Sequence, residues 1–180
     1  MRRLALTIVW FALGCSDRNP TQPAPMIDAA VVRAQAAPCS SAGAPQSSSC
    51  QNVAGHIDGQ IIGPSPACGG GTTEVGTFTG LGGGTFVACI TSLVQMGNGS
   101  LRFELTHTYT TTSGDTFTSI DRVVAAPINP PAEYSINNQV DITGGTGRLA
   151  GASGFLRTHG TVNLQTGVVS VDYHGRISTP

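Results

Sequence analysis

The sequence predicts an all-β protein, a single eight-stranded antiparallel barrel preceded by a signal peptide and a disordered tether. Three observations lead there. Residues 51–178 alternate apolar and polar in period 2 with almost no helical periodicity. Gly, Asn-Gly and Ser-Gly pairs punctuate that alternation at short intervals, as hairpin turns require. The first 49 residues lack both features, which sets them apart from the rest. Many short strands at regular spacing also fit a two-sheet sandwich, but a closed barrel removes the exposed sheet edges.

Taken in order, residues 1–14 read as a signal peptide. Arg2 and Arg3 precede the apolar run LALTIVWFALG, which is too short to span a bilayer and has the charged start of a secretory signal. The run ends Ala12-Leu13-Gly14-Cys15, which resembles a bacterial lipobox, so Cys15 is the expected lipidation site; plain secretion with Cys15 removed is the alternative. Residues 15–49 form the tether. DRNPTQPAP and the Ala, Ser and Gln that follow cannot bury a core, and MIDAAVVRAQAA at residues 26–37 offers at most a short helix. Residues 50–180 are the barrel domain, with strands expected at 51–62, 72–79, 84–96, 100–112, 115–125, 133–143, 153–164 and 168–178. Hairpins are expected at Ser113-Gly114 and at Gln165-Thr166-Gly167, where Gly supplies a positive φ.

The stretch DITGGTGRLAGASG, residues 141–154, is the most distinctive in the chain. A dinucleotide-binding loop would open a helix inside a βαβ unit. Phe155 onward alternates as a strand instead, so the glycines are assigned to a corner of the barrel.

Composition excludes several classes. The chain has 180 residues, 11% of them charged, a net charge of −1 and no Lys, and its arginines form no cluster, so no nucleic-acid partner is expected. Contact with a membrane is expected only through the lipid anchor. Four cysteines remain after Cys15: Cys39, Cys50, Cys68 and Cys89. In an exported chain they read as two disulfides; of the three possible connectivities, the local pairs Cys39–Cys50 and Cys68–Cys89 are expected. Their spacing does not suit a zinc site, so no metal or other cofactor is expected.

GGTGRLAGASG at residues 144–154, GTFTGLGGGTF at 76–86 and SGDTF at the middle turn resemble the dirigent proteins and the bacterial proteins with an allene oxide cyclase-like barrel. The resemblance covers roughly residues 53–178; Leu149 stands where an aromatic is common, and Gly80 where a His is expected. It implies an eight-stranded barrel with a hydrophobic cavity, which some relatives use to steer reactive small molecules through cyclisation or coupling.

The hairpins predict which side chains line that cavity. With two residues in the first turn, Phe103, Leu105, His107 and Tyr109 share the inner face with Thr118, Ile120, Arg122 and Val124. Pairing Leu164 with Val168 puts Phe155, Arg157, His159 and Thr161 inward with Val169, Val171, Tyr173 and Ile177, leaving Asp172, His174 and Arg176 outside. His107, Tyr109, Arg122, Arg157, His159 and Tyr173 are therefore the candidate polar lining, and catalytic residues remain unassigned. The functional expectation is an exported envelope protein whose barrel binds a small apolar ligand or serves as a stable surface module. The alternatives are a cofactor-free isomerase or cyclase, with histidines moving protons and an arginine stabilising negative charge, and a structural or protein-interaction domain.

Overall fold

The computed structural model describes residues 50–179. The expected signal peptide, Cys15, the expected tether and Cys39 lie outside them. Eight strands follow one another up and down: β1 (Cys50–Pro64), β2 (Thr72–Phe78), β3 (Gly84–Gln95), β4 (Leu101–Thr111), β5 (Thr116–Asn129), β6 (Glu133–Gly145), β7 (Ser153–Asn163) and β8 (Val168–Ser178). Each pairs antiparallel with the next, and β8 pairs with β1, so the sheet closes into a barrel. Closure satisfies the backbone of both terminal strands, from Cys50↔Ser178 to Gln60↔Val168.

The strand connections divide between two ends of the barrel. At one end lie the start of β1, the end of β8, the β2–β3 and β4–β5 turns and the glycine-rich corner between β6 and β7. At the other lie the β1–β2, β3–β4, β5–β6 and β7–β8 connections. The first end is closed by rings. Tyr109 and Phe117 stack with centroids 4.4 Å apart, Phe78 meets both edge-on at 5.4 and 5.8 Å, and Phe86 packs on Tyr109. Tyr173 is buried at the same end, where its hydroxyl donates to the carbonyl of Thr79 in the β2–β3 turn (2.6 Å).

The glycine-rich stretch is a corner. A single 3₁₀ turn, Gly147–Leu149, follows β6, and β7 begins at Ser153 with no helix between, which removes the geometry of a phosphate-binding loop. Gly147 has φ +60°, and a Cβ there would run into the Asp115 carboxylate. That carboxylate accepts from the Arg148 backbone N–H (3.1 Å) and guanidinium Nε (2.8 Å) and from the Ser113 hydroxyl (2.8 Å), locking the corner to the β4–β5 turn. These contacts, the Arg148 backbone N–H first, pull the Asp115 carboxyl down to about 2.

At the opposite end a disulfide joins Cys68, in the short 3₁₀ turn Pro66–Cys68, to Cys89 on β3. Cys50 is disulfide-bonded as well. A bulge at Thr91 interrupts the β3–β4 register between Ile90 and Ser92. It switches the parity of β3, so that Ile90 and Leu93 both reach the lumen.

Two hairpins differ from the sequence expectation, each by one residue. The β4–β5 loop contains three residues, Thr112, Ser113 and Gly114, closed by Thr111 N–H to Asp115 O (2.8 Å). Gly114 takes φ +87°, the left-handed residue that ends a three-residue hairpin loop. Tyr109 accordingly pairs with Phe117, and His107 with Ser119. At β7–β8 the last pair is Val162↔Val169, because Asn163 turns its side chain onto the N–H groups of Gln165 and Thr166 (both 3.0 Å) and lengthens the loop. A one-residue slip moves every side chain of the affected strand to the other face. Thr118, Ile120, Arg122 and Val124 on β5, and Phe155, Arg157, His159 and Thr161 on β7, therefore do not point inward. Phe117, Ser119, Asp121 and Val123, and Leu156, Thr158 and Val162, take their places.

Candidate ligand-binding site

The lumen beyond the aromatic plug is not filled. A cavity of about 110 Å³ opens toward the end opposite the plug, with aliphatic walls that include Ile61, Leu93, Leu101, Leu105, Ile136 and Val162. An eight-stranded barrel is just wide enough for such a space. Its polar lining is confined to Glu74, His107, Tyr109, Asp121, Asn138 and Thr158, which form a belt between the cavity and the plug.

Alternation builds the belt. β2 turns Glu74 and Phe78 to the same side, and β4 sends in Leu105, His107 and Tyr109 in sequence. β5 contributes Ser119 and Asp121 between Phe117 and Val123, and β6 places Asn138 between Ile136 and Val140. Asp121 is 2% exposed and accepts from the Ser119 hydroxyl (2.6 Å) and from Asn138 Nδ2 (3.0 Å). His107 Nδ1 lies 3.4 Å from Asp121 Oδ2, close enough for ion pairing, although the angle does not make a hydrogen bond. Burial works against the imidazolium, but the Asp121 and Glu74 carboxylates together outweigh it and raise the His107 pKa. Glu74 is 6% exposed, and burial raises its pKa, with His107 opposing. Its carboxyl lies over Gly59 of β1, where a Cβ would collide with Oε1. Gly59 thus leaves the space that Glu74 occupies.

Of the six side chains expected to line the lumen, His107 and Tyr109 line this cavity. Tyr173 is buried in the closed end, where burial pushes its phenol up to about 12. Arg122, Arg157 and His159 sit on the outer face as a consequence of the two longer loops: Arg122 pairs with Asp141 (2.7 Å), and His159 Nδ1 meets Asn137 Oδ1 (3.3 Å). Asp172 and His174 are exposed, and Arg176 is half-buried on the same outer side of β8. Glu74, Asp121 and Asn138 were not singled out from the sequence. The available signal was a carboxylate in phase with an apolar strand face, Glu74 with Phe78 and Asp121 with Phe117 and Val123, and for Asp121 it becomes visible only with the correct loop length.

A second polar group stands outside the barrel, across the β1–β8 seam. His56 Nδ1 lies 2.7 Å from Asp172 Oδ1, and Nε2 lies 3.2 Å from both Asp58 Oδ1 and Ser170 Oγ. The hydrogen bond to Asp172 chiefly raises the His56 pKa, with burial opposing. Ser170, His56 and Asp172 have the connectivity of a nucleophile relay, but Nε2 is shared with the Asp58 carboxylate, which favours the doubly protonated ring and removes the free base such a relay needs. Strand N–H groups committed to the ladder offer no oxyanion donors there. The group serves as an ionic clasp on the seam.

The fold and site define a closed antiparallel barrel with an apolar, one-ended cavity floored by acid, imidazole and amide. Comparison of the chain with protein-family models finds none that matches, and comparison with curated proteins finds no relative.

Proposed function

We propose that this chain is an exported protein whose barrel binds one small, largely apolar ligand in the open half of its lumen. The observation that carries the reading is the shape and chemistry of that cavity, an aliphatic chamber with a few convergent polar groups at one end, which is how ligand sites are generally built. At about 110 Å³ it is smaller than the dry cavity of about 150 Å³ that accommodates benzene, but it is open at one end, so a single ring or a short branched chain can enter with part of it in the mouth. Toluene added to the protein is expected to raise the melting temperature in a concentration-dependent way and to shift NMR signals of Leu105, Val123 and Ile136, leaving Phe117 unmoved. Shifts scattered over the outer face, or none, would reject the reading in favour of a purely structural module.

A cofactor-free isomerase or cyclase is the second reading, because Glu74 and His107 stand together at the cavity floor. Burial brings the carboxyl pKa upward, toward the range in which an acid can also act as a base. Enzymatic turnover would require both groups, and the resemblance to allene oxide cyclase-like barrels points the same way.

Export rests on Arg2, Arg3 and the apolar run up to Gly14, and on the Cys68–Cys89 disulfide, which accords with an oxidising compartment. Lipid attachment at Cys15 rests on the lipobox resemblance. The intact mass of protein made in a bacterial host is expected to exceed the mass of the cleaved chain by its acyl groups, and Cys15→Ser to abolish the excess. Unmodified wild-type protein would leave secretion without an anchor.

A further inference from the structure

We propose that the ligand is a small primary amine, an apolar ring or branched chain whose ammonium group is held by Glu74 with Asn138 as a second acceptor. This rests on the cavity-binding reading above and adds the chemistry of the ligand's polar end. It comes from an account of which belt groups are already satisfied. Asp121 accepts from Ser119 and Asn138 and faces His107 Nδ1, which itself has no hydrogen-bond partner. Asn138 spends its Nδ2 on Asp121, which leaves its Oδ1 buried with no partner. Glu74 is nine-tenths buried and lines the cavity, and its carboxyl makes no hydrogen bond with any other described side chain. Glu74 and Asn138 Oδ1 are thus unmet acceptors at the floor, beside the unpaired His107 Nδ1 that is turned to Asp121, and a group that brings donors would meet them.

Charge points the same way. Among the described residues the lumen holds two carboxylates, Glu74 and Asp121, against one imidazole, and every Arg lies on the outer side of the barrel or in a turn. Once Glu74 is ionised, an ammonium supplies three donors and the balancing charge, whereas a hydroxyl supplies one donor and no charge and a carboxylate adds to the negative charge. Aliphatic walls sharpen the discrimination, because charges interact more strongly in a low-dielectric chamber than in water.

The groups facing Glu74 are His107 and Tyr109 from β4 and Asp121 from β5; β1 and β8 offer only Gly59, Ile57 and Val169. Because burial favours the protonated acid, seating an ammonium beside it expels a proton. Amine affinity should therefore rise with pH through the titration of Glu74, whereas the affinity of a neutral ligand should stay nearly level.

The test compares benzylamine, benzyl alcohol, benzoate and toluene, four compounds of nearly one shape, by calorimetry on the full chain. Benzylamine is expected to bind about tenfold or more tightly than benzyl alcohol, the worth of one charge-assisted hydrogen bond, with benzoate weakest. In Glu74→Gln the amine's advantage should vanish while toluene binds as before, which also shows that the variant is folded. On the wild type alone, benzylamine but not toluene should bind more tightly at pH 8 than at pH 5. Toluene binding without any preference for the amine, or an amine affinity that ignores pH, overturns the proposal and leaves the cavity reading standing. Failure of all four to bind overturns both.

Discussion

The two ends of this barrel are made from the same alternating strands, yet one is packed shut and the other is hollow. At the closed end Phe78, Phe86, Tyr109, Phe117 and Tyr173 converge from β2, β3, β4, β5 and β8, and an ionic lock between Asp115 and Arg148 ties two connections together outside the plug. At the open end the inward positions carry mainly Ile, Leu and Val, with the rings of Phe103 and Tyr134 among them. Among the described residues no ion pair joins its connections, which are held by the Cys68–Cys89 disulfide and by such contacts as Gln60 Nε2 to the carbonyl of Thr166 (2.7 Å). Aliphatic side chains do not reach the barrel axis as rings do, and among the described residues Phe103 and Tyr134 at this end pack against no other ring, so a cavity remains. Ring packing is concentrated at one end and open volume at the other, with the polar belt at the boundary.

The largest expected effect tests this division directly. Phe117→Ala removes a ring that is 1% exposed and stacked on Tyr109, and should cost about 3–5 kcal/mol in denaturant unfolding. Leu93→Ala, at a position 63% exposed on the rim of the cavity, should stay within about 0.5 kcal/mol. Equal losses would mean that the open end is packed as tightly as the closed one.

A smaller effect sharpens the comparison at the corner. Gly147→Ala places a Cβ at positive φ and against the Asp115 carboxylate, and should cost about 1–2 kcal/mol by calorimetric unfolding, ligand present or absent. An unchanged melting temperature would show that the corner adjusts freely and that the closed end is not locked there.

The smallest effects are pH-dependent and of opposite sign. Asp115 has a lowered pKa in the folded state, so its contribution is present above the ordinary carboxyl value of about 3.9 and disappears as pH falls toward about 2. His56 has a raised pKa, so its contribution is present below about 6.5 and disappears as pH climbs through the folded value. Thermal melts of Asp115→Asn should therefore converge on wild type in strong acid, and those of His56→Gln should converge in mild alkali. Penalties that do not change with pH would indicate packing roles for both residues.

Much of this was legible in the sequence, for a local reason. Strand positions follow from alternation and from the turn residues between strands, and β8 runs over Val168–Ser178 as alternation predicts. The corner at Gly144–Gly154 could be recognised because the residues after it continue as a strand. The inner faces of β4 and β8 were also readable, with His107, Tyr109 and Tyr173 on them. The inner faces of β5 and β7 were not, because facing depends on the parity of a loop. Ser113-Gly114 reads equally well as a two-residue turn or as the end of a three-residue one, and Asn163 reads as strand until its side chain is seen folded onto the turn.

The sequence by itself determined the all-β class, the number of strands and their approximate limits, since these depend on backbone preferences and side-chain periodicity along a few neighbouring residues. Only the tertiary structure decided that β8 closes on β1, that Arg122, Arg157 and His159 face outward, and that Glu74, His107, Asp121 and Asn138 meet. These residues come from β2, β4, β5 and β6, and no periodicity within one strand specifies which side chains will stand opposite one another across a closed lumen. That follows from register and from the shear of the closed sheet, which every pair of neighbouring strands fixes together.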